Sequence, residues 1–278
     1  MLKKVSAFSS DFFSLRPVGR DCKISSRPSE SCWKMSSERK YKNSPIGEAV
    51  CELRIIPGSP WDLAVPGLVY ERLKKTFPKR RQVKTVGATL TGGAVTTVEV
   101  ERLQFMQEDE KALVVIGKDV LAVSRLNPYP GWETYRPMIL DAFTAYKEIT
   151  NPTSFQRLGL RYVNQVNFKE DRIQLEDFFE FYPFVGKLLP QDHGTFIVGI
   201  ELPFTGGRDN LRLQLATNPA APGSKLSLTL DLDYFLMDPT NVGLSDLEKW
   251  LEQAHSALAE TFEGCLKDSL RKRFQEMD

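Results

Sequence analysis

The chain has 278 residues, of which 41% are hydrophobic and 26% charged, a balance that excludes disorder as the dominant state and leaves room for one large or two small domains. Its 37 basic and 36 acidic residues leave a formal charge of +1, which argues against a nucleic-acid partner bound mainly by phosphate neutralisation. The longest apolar runs fall well short of the roughly 20 residues of a membrane helix, so no span is expected.

Residues 1–40 are Ser-rich and basic and show no sustained period. Nine basic against four acidic residues give this stretch +5, leaving −4 for the remainder. Such a composition buries too little apolar surface to fold, so we expect a disordered tail or a misassigned start, with Met35 as the true first residue.

Regular patterning begins near Tyr41. Residues 48–56 alternate, with Ala49, Cys51, Leu53 and Ile55 on one face and Glu48, Glu52 and Arg54 on the other, which predicts a half-buried strand. Pro57–Gly58–Ser59–Pro60 ends it, and a helix is predicted over 64–76. Strands are predicted at 81–90, 94–106, 111–116 and 119–126, separated by Gly92–Gly93, a polar turn and Gly117–Lys118. After Asn127–Pro128–Tyr129–Pro130–Gly131 comes a helix over 132–148.

The second half repeats this order with one strand fewer. A long strand over 155–168 precedes a short helix near 174–181, then strands at 194–203, 210–217 and 225–237. Ser245-x-x-Glu248 reads as a capping box opening one long helix over 244–274. Phe77–Pro78 matches Tyr182–Pro183, and LDAFTAY (140–146) matches LAETFEG (258–264) in place. We expect an α+β fold of two tandem strand–helix–antiparallel meander–helix repeats, 41–150 and 151–278, packed as one body with the helices on one face of the sheet. By analogy the arrangement is helix-grip or TATA-box-binding-protein-like.

The alternation then sorts side chains by face. Leu226, Leu228, Leu230 and Leu232 oppose Asp231 and Asp233, Leu211 and Leu213 oppose Arg212, and Leu158 and Leu160 oppose Arg157 and Arg161. The face away from the helices is expected to be polar, with Arg54, Arg157, Arg161 and Asn164 as the leading binding residues. Tyr129 and Trp132 in NPYPGWETYRP either close the end of the core or offer an aromatic patch.

No catalytic motif of useful specificity stands out. Glu99-x-Glu101 resembles the acidic strand of triphosphate-tunnel enzymes but has Leu103 where that family carries lysine. With Asp231-x-Asp233 it supports an alternative reading, a metal-dependent phosphate- or nucleotide-handling enzyme. His193 reads as a surface-loop residue and His255 as a packing residue; two histidines exclude a histidine-rich metal centre. Cys22, Cys32, Cys51 and Cys265 lack CxxC spacing and fit reduced thiols of a cytoplasmic protein.

Three segments carry a family resemblance: Glu48, Glu52, Leu53 and Arg54; Tyr129, Gly131, Trp132 and Glu133; and Leu160, Arg161, Tyr162 and Asn164. Together they resemble a bacterial and archaeal family of conserved hypothetical proteins with sporadic distribution. Ser44–Pro45 stands where that family more often has a double proline. The family's molecular function is not established, so the resemblance implies no catalytic residue and no cofactor; its patchy distribution implies mobile genes such as defence or toxin–antitoxin systems. The residues and the resemblance together lead us to expect a non-enzymatic binding or regulatory module with a protein or small-molecule partner. Oligomeric state is not encoded in any pattern found.

Overall fold

The computed structural model describes residues 39–91, 94–192 and 194–277, and for residues 84–91 and 94–101 the backbone alone. Residues 1–38 of the tail, the Gly92–Gly93 turn, His193 and Asp278 therefore lie outside the described residues.

The chain order is β1 (Ile46–Ile56), α1 (Val65–Leu73), β2 (Lys79–Thr91), β3 (Ala94–Met106), β4 (Ala112–Gly117), β5 (Val120–Leu126), α2 (Trp132–Thr150), β6 (Ser154–Phe168), β7 (Ile197–Phe204), β8 (Asp209–Asn218), β9 (Leu226–Leu236), α3 (Leu247–Gly264) and α4 (Asp268–Phe274). The strands form one nine-stranded antiparallel sheet in the order β2-β3-β4-β5-β1-β6-β9-β8-β7. This is an α+β fold. Sequence-remote β1 and β6 lie side by side at its centre, Cys51 opposite Leu160 and Arg54 opposite Arg157.

The alternation of apolar residues decides which face is buried. Ala49, Cys51, Leu53 and Ile55 of β1, Leu158 and Leu160 of β6, and Leu228, Leu230 and Leu232 of β9 are buried in one core. That core also holds Val69 of α1, Tyr135, Ile139 and Tyr146 of α2, and Trp250, Leu251 and Leu258 of α3. A strand pointing alternate residues to opposite faces can bury only one set against helices, which leaves the charged set on the other side.

Two predicted helices are corrected. The helix near 174–181 is a single 3-10 turn, Leu175–Asp177, and the long C-terminal helix is broken into α3 and α4. One contact explains both. Phe179 and Leu266 form an antiparallel bridge, in which the Glu180 N–H donates to the Cys265 carbonyl at 2.8 Å and the Lys267 N–H to the Phe178 carbonyl at 2.9 Å. Backbone groups committed to that bridge are lost to helical bonding on either side. The predicted capping box is also displaced: the Asp246 carboxylate, not that of Glu248, accepts from the Gly243 N–H at 3.3 Å.

Candidate functional site

The open face of the sheet is built from the charged partners of the buried rows. On β1 it presents Glu48, Glu52 and Arg54; on β6, Arg157, Gly159 and Arg161; on β9, Asp231, Asp233 and Phe235; on β8 and β7, Arg212 and Glu201. Strand register sets the neighbours. Glu52, Gly159 and Phe235 form one transverse row, and Arg161, Asp233, Arg212 and Glu201 form the next.

The ion pairs follow from that register. Arg157 donates to Glu52 at 3.1 Å and reaches Asp233 at 3.4 Å. Arg54 donates to the same Glu52 oxygen at 3.0 Å. Arg161 makes a forked contact with Asp231, 2.8 Å from its Nε and closer through a second nitrogen. Arg212 donates to Glu201 at 2.9 and 3.1 Å. A planar guanidinium suits such two-pronged contacts, which lysine could not reproduce.

An aromatic ring lies inside this charged surface. The guanidinium carbons of Arg157 and Arg212 each sit 5.6 Å from the centroid of Phe235. Gly159, directly across from Phe235, makes room for the first of them: a Cβ there would meet Arg157 Nη1 at 3.0 Å. The result is a ring flanked by two cations, each cation held in turn by carboxylates.

Burial tunes the acids. Loss of solvent raises the Asp233 carboxyl above the ordinary aspartate value; Arg157 and Arg161 oppose this and Asp231 adds to it. Desolvation likewise raises Glu48, against Arg161 and a hydrogen bond from Ser124. Burial works against the Arg161 cation, but its bonds and attraction to Asp231 outweigh that and raise its pKa.

Arg54, Arg157 and Arg161 thus come together as expected, whereas Asn164 does not join them. Asn164 is only 1% exposed, on the helix side of β6, where its amide donates to the Leu230 carbonyl at 3.1 Å and the Tyr162 carbonyl at 3.4 Å. It lies three residues from Arg161, and an odd step along a strand changes face. Trp132 is also turned inward: its ring stacks on His255 at 4.3 Å and its Nε1 donates to Glu252 at 3.1 Å. Tyr129, half-buried, meets the Tyr162 hydroxyl at 3.3 Å, and the Tyr162 hydroxyl meets His255 Nδ1 at 2.8 Å. These aromatics close the end of the core between α2, α3 and β6 and do not share the open face.

The acidic quartet of the metal-enzyme reading is carried by strands far apart in the sheet. Glu99 and Glu101 belong to β3, five strand spacings from β9, or roughly 24 Å from Asp231 and Asp233. Asp231 and Asp233 keep only 12% and 16% side-chain exposure and are engaged by arginines. Among the described residues no group of three or more His, Cys, Asp or Glu side chains could hold a metal ion. Phe235 was the residue that pattern-reading passed over. Its signal was present: an aromatic at the polar phase of β9, in line with Asp231 and Asp233.

No helix among the described residues is long and apolar enough to cross a membrane. No family model matches the chain, and no curated protein does.

Proposed function

We propose that the chain is a non-enzymatic binding or regulatory module that engages a protein or small-molecule partner through the open face of its sheet. The observation that carries this reading is the Arg157–Phe235–Arg212 layer. Two arginines held beside one aromatic ring, each guanidinium carbon 5.6 Å from its centroid, make a surface suited to recognition. Arginine and aromatic side chains dominate the energetics of protein contacts. The charges on this face are nearly balanced, which suits a partner of mixed charge and not a simple anion. Cys51 and Cys265 are free buried thiols, in keeping with a reducing cytoplasmic setting. The element order on either side of the β1–β6 pair, β5-β4-β3 against β9-β8-β7, supports an ancient duplication.

The test is affinity capture from the native host with wild-type protein and an Arg157→Ala/Arg212→Ala variant, followed by mass spectrometry. A partner enriched by the wild type and lost from the variant supports the reading. Partners held equally by both, or none on repeated capture, overturn it. Calorimetry with Mg²⁺, Mn²⁺ and nucleotides addresses the enzymatic alternative, and micromolar binding would displace the non-enzymatic one.

A further inference from the structure

Among the described residues the sheet ends at β7, and no strand covers that edge. Phe196 accepts a backbone hydrogen bond from Thr217 at 3.1 Å, which fixes the alternation: Val198, Ile200 and Leu202 bond inward to β8, while the N–H and C=O of Ile197, Gly199 and Glu201 point outward. No strand among the described residues lies beyond them, and all three are exposed. Edge strands are ordinarily protected by lysine, proline, bulges or a covering element. Here Ile197–Phe204 contains no lysine, and its one proline, Pro203, removes a donor only at the far end.

The apolar surface gathers in the same part of the chain. Of ten large hydrophobic side chains exposed among the described residues, five fall between 184 and 200: Phe184, Leu188, Leu189, Ile197 and Ile200. An unpaired row of backbone groups running out of an exposed apolar segment is a surface for strand addition.

We propose that β7 pairs antiparallel with β7 of a second copy of this chain, about a two-fold axis through Gly199, joining two sheets into one. The row is self-complementary in that register. Gly199 faces its own copy, Ile197 faces Glu201 of the partner subunit, and each opposed pair exchanges both backbone hydrogen bonds. Gly199 places no side chain on the axis. On the helix side Val198 and Ile200 meet their counterparts, covering Ile200, which is 43% exposed in the single chain. The charges permit it: Glu201 is the one acidic or basic residue of β7, it is held by Arg212, and the axis sets it against isoleucine instead of a second carboxylate. Strand pairing alone covers too little area for a stable dimer, so the proposal includes burial of Phe184, Leu188 and Leu189, exposed in the segment that leads into β7.

The test uses sedimentation velocity of the full chain from low to tens-of-micromolar concentration, with Ile197→Glu and Ile197→Lys beside wild type. Ile197 is 64% exposed, so both variants retain the fold, as circular dichroism should verify. Wild type should dimerise. Ile197→Glu sets like charges opposite one another at two symmetry-related places and should weaken the dimer about tenfold. Ile197→Lys sets opposite charges there and should hold or tighten it. Amides of Ile197, Gly199 and Glu201 should gain exchange protection as concentration rises. A wild-type chain monomeric throughout, equal weakening by both substitutions, or a dimer indifferent to both would overturn the proposal.

Discussion

Gly58 is fixed by a single atom. A Cβ at this position would lie 2.1 Å from the Asn151 carbonyl oxygen, at the place where the turn after β1 meets the end of α2 and the Ser59 N–H donates to the Thr150 carbonyl at 3.1 Å. Neither backbone can yield without giving up that bond. Gly58→Ala should therefore destabilise by about 2–3 kcal/mol in urea unfolding. Gly67 is the contrasting case, an exposed position inside α1 with nothing within 4 Å of a Cβ; Gly67→Ala should stabilise by about 0.5–1 kcal/mol. The acids of the open face give a pH prediction of definite sign. Because burial raises Asp233, the folded state binds its proton more tightly than the unfolded chain does. Stability from this group is thus present below the unfolded aspartate value near ~3.9 and is lost as pH rises through the higher folded value. The stability of wild type relative to Asp233→Asn should rise as pH is lowered from neutral toward that range. Urea titrations at paired pH values check this, and a difference that shrinks on acidification would contradict it.

At the scale of elements, what was legible in the sequence is what a local pattern can encode. Alternation such as Leu226–Leu236 fixed both the strands and their faces, because period-two burial is written in adjacent residues. The break between α3 and α4 was not legible, since it is made by Phe178–Glu180, which lie far away in the chain. Asn164 is the opposite case: its polarity suggests an exposed position, but it shares the phase of Leu158, Leu160 and Tyr162, and the Leu230 carbonyl accepts from its amide inside. The joint between α3 and the β8–β9 pair shows how a polar residue can organise packing. Asp209 is fully buried, and its carboxylate accepts from Trp250 Nε1 at 3.0 Å, from the Tyr234 hydroxyl at 3.0 Å and from Arg208. Trp250→Phe removes one of these donors from a buried carboxylate while leaving most of the ring's packing. It should cost about 2–3 kcal/mol, read by chemical denaturation. A loss below about 0.5 kcal/mol would mean that solvent takes the indole's place.

At the scale of the whole molecule, the first and last of the described segments, Lys40–Asn43 and Phe274–Met277, are bound to each other. Lys42 and Asn43 donate to the Gln275 and Phe274 carbonyls at 2.9 and 3.0 Å, and the Met277 N–H donates to the Lys40 carbonyl at 2.8 Å. Between them the Tyr41 ring packs edge-on against Phe262 and Phe274, and its hydroxyl donates to Glu263 at 2.7 Å. Burial, reinforced by Glu263, pushes the Tyr41 hydroxyl above the ordinary tyrosine range, so it remains a donor well into alkaline solution. This short strip holds α4 against α3, and α4 contributes Leu270 and Phe274 to the core. A chain beginning at Met35 keeps the strip, whereas one beginning at Ser44 loses it. The shorter chain should be less stable by about 2–4 kcal/mol, through lost aromatic packing and orphaned carbonyls at the end of α4. Exchange protection should fall first in α4, a seven-residue helix tied to the rest by two buried side chains, Leu270 and Phe274. Tyr41→Phe separates the contributions: it retains the ring and removes the bond to Glu263, and should cost no more than about 1 kcal/mol. Equal stability of the Met35 and Ser44 chains would show that α4 holds its place through Leu270 and Phe274 alone.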